Sequence, residues 1–542
     1  MKDTKFIVIT GGVLSGLGKG VVTSSIGNLL TSQGYNVSPI KIDPYINIDA
    51  GTMRPTEHGE VFVTEDGGET DQDLGNYERF MDVNVEKDHN ITTGQVYRTV
   101  IERERNLEYQ GKCVEVIPHI PQEVQRRIES VARADNADFV VIEIGGTIGD
   151  YQSVLFLEAV RQMKRERNHM LFVHVVYLPV PHNLGEMKTK PAQHSVRDLM
   201  QSGIQPDFLV ARAEHPVDEV RKDKLALFCN VKKEEVISAP DLDLIYECPI
   251  KFEEQGFLKQ VLGKFALKEK SSKQLESWKG YIDKIKNTKK KVKIGIIGKY
   301  FDIGDFSLED SYISVIEAVK HASYAAGAIP EIVWVDSKQF EKDPSSIEKL
   351  KDFAGIIIPG GFGGSGVEGK IAAIRYVRES DIPFLGLCLG LQLAVVEYAR
   401  DVCELKGAHT TEIDPKTKHP VIDILPEQKK NIEDSNYGAT MRLGAWQAKL
   451  QPNTVVKKLY GKELVSERHR HRYEVNPQYI SILENKGFVF SGRSLDRRLM
   501  EFGELPEHKF FVGTQAHPEF KSRPLKPHPL FKGFLKASVS KV

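Results

Sequence analysis

Phe6-Ile-Val-Ile-Thr10, followed directly by Gly11-Gly-Val-Leu-Ser-Gly-Leu-Gly-Lys-Gly20, decides the fold of the first half of this chain. An apolar, β-branched run enters a glycine-rich turn, and a helical stretch follows from Val21 to near Gly34. In such a unit the loop amides, a lysine and a helix amino terminus converge on one point, which suits a polyphosphate. The loop Gly11–Gly20, with Lys19 at its end, is therefore a candidate ATP site. The spacing departs from the standard phosphate loop: Val13 stands where the first glycine is expected, and Gly20 replaces the Ser/Thr whose hydroxyl binds Mg2+. A magnesium ion would then need carboxylates from elsewhere, since it prefers hard oxygen ligands. Asp73, in Glu69-Thr-Asp-Gln-Asp-Leu-Gly75, and Glu143, closing the strand candidate Phe139–Ile144, are the candidates. A glycine-rich string alone also fits a plain strand-to-helix turn, but strand, loop, lysine and helix in this order favour ATP.

The same rhythm runs outward along the 542 residues. Strand candidates Phe139–Ile144 and Leu171–Leu178 continue the first half, and Val292–Gly298, Gly355–Ile358 and Pro383–Leu387 form a second series, each alternating with helical patterns. This predicts two doubly wound α/β domains with largely parallel sheets, whose ligands gather at the carboxyl ends of the strands. The lysine-rich stretch 268–291 separates them as a connector, giving domains 1–267 and 292–542. Leu275, Trp278, Ile282 and Ile285 recur there at helical spacing and predict a partly helical segment that docks on a domain, its lysines solvated. A net charge of −1 gives no basic field for nucleic acid or an anionic membrane. The five scattered cysteines suit a reducing compartment. The start of the chain shows no leader-like apolar stretch, and no run approaches the ~20 apolar residues of a membrane span. A cytoplasmic protein is expected.

In the second half, Pro383-Phe-Leu-Gly-Leu-Cys388-Leu-Gly-Leu-Gln392 reads as strand, glycine-flanked elbow and helix. It presents a cysteine at a helix amino terminus, where the helix field and a histidine favour the reactive thiolate. His517-Pro-Glu519, after the strand candidate Phe511–Gln515, supplies a base and the acid that orients it. Gly360 and Gly361 follow a strand and could offer backbone amides to an oxyanion, one such donor being worth ~2.7–4 kcal/mol. A lone cysteine is more often a small buried apolar residue; the triad pattern outweighs that. In Arg468-His-Arg-His-Arg-Tyr473, strand alternation puts Arg468, Arg470 and Arg472 on one face. A nucleic-acid patch is the rival reading, opposed by the neighbouring Glu467 and Glu474.

Asp43-Pro-Tyr-Ile-Asn47, His58-Gly-Glu-Val-Phe-Val-Thr-Glu-Asp-Gly67, Gly145-Gly-Thr-Ile-Gly-Asp150 and Lys188-Thr-Lys-Pro-Ala-Gln-His-Ser195 resemble the amidoligase domain of the CTP synthases. The second half resembles the class I glutamine amidotransferases. The resemblance implies ATP- and Mg2+-dependent amination of UTP to CTP with ammonia from glutamine, through a 4-phosphorylated UTP. It implies Ser15, Gly16, Leu17, Gly18, Lys19 and Gly20 as the ATP cradle, Lys19 and Lys41 near the transferred phosphate, Asp73 and Glu143 on magnesium, and Ser15, Asp150, Tyr151, Gln152, Lys188, Thr189, Lys190, Pro191, Ala192, Gln193 and Lys224 around UTP or the inhibitor CTP. Glutamine would meet Gly361, Leu389, Gln392, Glu412 and Arg472. Pro55, His58 and Val61 would line or gate an ammonia passage, and Gly438–Gly444 would belong to a lid responsive to GTP, the allosteric activator. A homotetramer, able to stack into filaments, is also implied. One departure stands out: Asp150-Tyr151-Gln152 replaces the usual Asp-Ile-Glu, which removes a carboxylate charge from the CTP feedback site. A cobyrinate-type amidotransferase, or a non-catalytic ATP-dependent switch, would carry similar modules.

Overall fold

The computed structural model describes residues 3–167, 169–181, 185–270, 272–298, 302–303, 306–307, 309–425, 428 and 438–540. By contacts the chain forms two compact units, Met1–Asp49 with Asp73–Ile282, and Ala50–Gln72 with Asp283–Val542. The sequence predicts a first domain of residues 1–267; by contacts, residues 50–72 group with the second unit.

The first unit is built on a seven-stranded, wholly parallel sheet. From edge to edge its strands are Asn90–Thr92, Val37–Asp43, Phe139–Ile144, Lys5–Gly11, Met170–Tyr177, Phe208–Ala213 and Val236–Pro240. Phe139–Ile144 is buried at every position, as a parallel strand covered on both faces must be. Phe6 and Val8 pack with Ile120, Val124 and Val160 from the helices on one face, which by the pleat turns Ile7 and Ile9 to the other. The strand order reverses beside Lys5–Gly11, so the glycine-rich loop leaves the sheet at its topological switch point. The expected connector forms the helix Lys273–Asn287. Its four apolar residues are buried, and Trp278 and Ile282 pack with Phe80 and Tyr246.

The second unit carries a nine-stranded sheet. Five strands are parallel: Ile329–Asp336, Lys291–Gly298, Gly355–Ile358, Phe384–Leu387 and Phe511–Thr514. Met500–Glu504, Val489–Ser494, Arg442–Leu450 and Leu464–His471 extend it antiparallel. Helices Val367–Glu379 and Leu389–Asp401 contribute to the core on one face, and Ile313–Ala325 and Pro529–Val539 to that on the other. Gly360, Cys388 and His517 all lie just past the carboxyl ends of parallel strands.

Candidate active site

Helix Leu389–Asp401 begins one residue after strand Phe384–Leu387 ends, and the turn between them is Cys388, held at φ 49°, ψ −100°. A side-chain-bearing residue stays in such a conformation only where its surroundings enforce it. Two contacts do so. The Cys388 amide donates to the Thr514 carbonyl at 2.7 Å, and Gly390 lies so close to the next strand that a Cβ would sit 2.3 Å from the Ile358 carbonyl oxygen. The thiol is thereby fixed at a helix amino terminus. Its Sγ accepts from Gln515 Nε2 at 3.6 Å and sits 3.9 Å from the Arg470 carbonyl oxygen.

His517 Nδ1 is 2.7 Å from Glu519 Oε1, the ring stacks on Phe520 at 5.4 Å, and its amide donates to the Arg468 carbonyl at 2.7 Å. Nε2 is buried, with no close hydrogen-bond partner among the described residues. Burial works against a charged ring, but the charges of Glu519 and Cys388 outweigh it and raise His517 to about 10. The histidine thus holds its proton at neutral pH, as a cation that a thiolate can pair with.

A cavity of about 300 Å³ opens beside His517 and Glu519. It is lined by Gly361 and Arg472 from the glutamine-site candidates, by Gly360 from the oxyanion pair, and also by Pro55 and Val61. Gly360 packs against the His517 ring. Leu389 and Gln392 are buried at the start of the cysteine helix, Gln392 donating to the Tyr473 carbonyl at 2.9 Å. Glu412 accepts from the Gly363 amide at 2.9 Å, and Arg472 donates to Gln428 and Thr440. His58 lies on the short helix Pro55–His58, its Nδ1 3.4 Å from Asp71. Arg468 and Arg470 share a strand face as expected, yet Arg468 has a fully buried side chain paired with Glu65, and Arg470 pairs with Glu69. These contacts neutralise two of the three arginines of the expected face, and Arg472 lies just past the end of strand Leu464–His471.

In the first unit, helix Lys19–Ser32 starts at Gly18 with no side chain capping it, leaving amino-terminal amides for an anion. Ser15 and Gly16 are exposed, Leu17 is buried, and Lys19 reaches the Gly146 carbonyl at 2.7 Å. Burial lowers the Lys19 pKa. Behind the loop, Lys41 binds Asp73 and, at 3.1 Å, Glu143, whose other oxygen accepts from Tyr77. Burial raises Glu143, and raises Asp43 to about 6. A Cβ on Gly20 would sit 2.3 Å from Asp73 Oδ1. The Asp73 carboxylate thus occupies the space of the missing Ser/Thr side chain, and two hard carboxylates beside the loop fit a magnesium ion. Among the described residues no group of three or more His, Cys, Asp or Glu side chains could hold a metal ion by itself.

The base-site candidates are looser. Asp150 accepts from the Thr147 amide and hydroxyl, both at 2.8 Å, while Tyr151 is 96% exposed and Gln152 is exposed beside it. Lys188 pairs with Glu186 at 2.7 Å, Lys190 lies over Phe228, and Lys224 is exposed. Thr189, Ala192 and Gln193 are buried around the start of helix Lys190–Gln201, with Pro191 half-buried, and Gln193 donates to Thr189 at 3.0 Å.

Sequence reasoning missed Gln515, which links Gln392 to Cys388; strand alternation two residues before His517 was the available signal. It also missed Tyr77 and a buried charge cluster in which Arg442 binds Glu474 at 3.0 Å and Glu501, and Glu501 meets His469 at 2.8 Å.

Comparison with known proteins follows this division. Residues 5–267 match the family described as CTP synthase N-terminus, and residues 307–537 match glutamine amidotransferase class-I. A CTP synthase of Thermococcus gammatolerans is 52% identical over 99% of this chain and 98% of its own length, and one of Pyrococcus abyssi is 53% identical over the same shares. The solved glutaminase domain of a Trypanosoma brucei CTPS with bound acivicin is 34% identical, covering 46% of this chain and 94% of that one, with a TM-score of 0.43. Fold, site and matches define a class: a ligase joining a synthase part to a class I glutamine amidotransferase. The chain belongs to the CTP synthase family. Neither a cobyrinate amidotransferase nor a non-catalytic switch finds support in these matches.

Proposed function

We propose that the protein aminates UTP to CTP, consuming ATP and taking ammonia from glutamine. The Cys388 thiolate attacks the glutamine carboxamide carbon; His517, held by Glu519, gives its proton to the departing ammonia and then assists water in releasing glutamate. The amides at Gly360 and Gly361 receive the oxyanion, and Gln392, Glu412 and Arg472 orient glutamine, with Leu389 against it. In the other site the cradle Ser15–Gly20 and Lys41 hold ATP while its terminal phosphoryl passes to the 4-oxygen of UTP; ammonia then adds at that carbon and phosphate leaves. Asp73 and Glu143 would hold Mg2+, which supplies charge stabilisation for the phosphoryl oxygens. Asp150 to Gln152, Lys188 to Gln193 and Lys224 would bind UTP or CTP, with Gln152 weakening CTP feedback. Pro55, His58 and Val61 would serve the ammonia path, GTP would activate, and a cytoplasmic homotetramer would be the working form, detectable by sedimentation with nucleotide. Residues 1–267 and 292–542 would be the synthase and glutaminase halves, joined by the connector 268–291.

The observation that carries this reading is a cavity in which the Cys388 partners His517 and Glu519 meet Pro55 and Val61, residues that lie in sequence within the synthase match. The test follows CTP absorbance with UTP, ATP and magnesium, using glutamine or ammonia. Wild type should use both, and Cys388→Ala only ammonia; a wild type that makes CTP from neither overturns the reading.

A further inference from the structure

Phe62 and Glu65 belong in sequence to the synthase half, yet their side chains contact residues that hold His517. Phe62 is fully buried and meets Phe520 edge-on at 5.1 Å, and Phe520 stacks on the His517 ring at 5.4 Å with only 19° between the planes. A second route runs through Arg468. Its carbonyl receives the His517 amide, while its guanidinium donates to Glu65 at 2.9 Å and to the Val63 carbonyl at 3.0 Å and lies over the Phe62 ring. Glu65 also receives Lys521, two residues beyond Glu519, at 3.1 Å. One ring face and the backbone of the base are therefore both buttressed from the same short stretch.

We propose that Phe62 and Glu65 are positioning residues for the glutaminase: they set His517 through Phe520 and Arg468, so that residues from the synthase sequence complete the cysteine–histidine site. Neither touches the reacting atoms. A misplacement of about 1 Å in a catalytic group costs up to ~10²-fold in rate, so loss of either buttress is expected to lower kcat for glutamine hydrolysis without weakening glutamine binding. The chain immediately after this stretch runs through Glu69 to Asp73, the carboxylate on Lys41, which gives the nucleotide site a covalent handle on the buttress.

This inference rests on the glutaminase reading of Cys388 and His517. The experiment uses the full chain carrying Phe62→Leu, Glu65→Ala or Glu65→Gln and measures glutamine hydrolysis, CTP from ammonia, and the rate of Cys388 alkylation by iodoacetamide, followed by peptide mass mapping. Phe62→Leu and Glu65→Ala should each lower kcat for glutamine about tenfold with KM within twofold, slow Cys388 alkylation by a similar factor, and leave ammonia-driven CTP within twofold. Glu65→Gln, which still accepts from Arg468, should recover most of the loss. Equal falls in glutamine- and ammonia-driven rates, a change confined to KM, or unchanged alkylation would overturn the proposal. A wild type that makes CTP from ammonia but does not hydrolyse glutamine would instead overturn the glutaminase reading itself.

Discussion

The two candidate reaction centres differ in how much of each the chain supplies by itself. Around Cys388 everything is fastened by protein: the turn by Thr514 and Ile358, the thiol by Gln515, the base by Glu519 and Phe520. Around Lys41 the arrangement is provisional. A lysine neutralises two carboxylates whose proposed partner is a metal, and Tyr151 and Lys224 project into solvent. The difference follows from the chemistry. Covalent catalysis needs preorganised protein groups, whereas phosphoryl transfer borrows much of its machinery from the charges of its ligands.

The sharpest attempt to break this contrast is Lys41→Met. It should lower CTP formation from either nitrogen source by about 10³-fold, the scale of a lost transition-state donor, while glutamine hydrolysis without nucleotides survives; loss of both would show that the centres are not separable. Glu519→Gln attacks the preorganised side. Glutamine-driven turnover should fall about 10²-fold, the scale of impaired general acid–base catalysis, with ammonia-driven CTP unchanged, as read in the same absorbance assay. Gly20→Ala tests the provisional side more gently. The added Cβ must displace Asp73, so the magnesium concentration for half-maximal rate should rise, by about tenfold if one contact worth ~1.4 kcal/mol is lost; an unchanged requirement would remove Asp73 from the metal.

The smallest expected effect concerns stability. Burial and Glu501 raise Glu474 from 4.5 to about 8. A carboxyl with a raised folded pKa binds more protons folded than unfolded, so its contribution falls as pH rises from 4.5 to 8. Glu501, held down to about 2, titrates below that window. Glu474→Gln mimics the protonated form, and the melting temperature of the variant should gain on wild type as the pH is raised across this range.

Much of the proposed machinery could be read before any coordinates because it sits on short-range patterns. The elbow around Cys388, His517-Pro-Glu519 and the loop ending at Gly20 are each contiguous strings at strand ends, where local propensity and pleat alone set the geometry. The connector helix was legible for the same reason, its four apolar residues recurring at helical period. Partnerships across long sequence separation were not. Glu65 meets Arg468, 403 residues away, and Arg442 lies on a strand whose neighbours in the sheet no spacing predicts. Gly20 is the instructive middle case: its departure from the standard loop was visible, but that Asp73 fills the space needed the fold.

The placement of residues 50–72 also bears on inheritance. A gene fission at the lysine-rich stretch 268–291, the obvious seam in the sequence, would part the cysteine, histidine and glutamate from Pro55, Val61, Phe62 and Glu65, and would expose Arg468 and Phe520, now covered. Neither product would be a finished module. Cutting the chain at that seam would therefore not yield two finished halves; the second would have to be given back the segment 50–72 or a substitute for it.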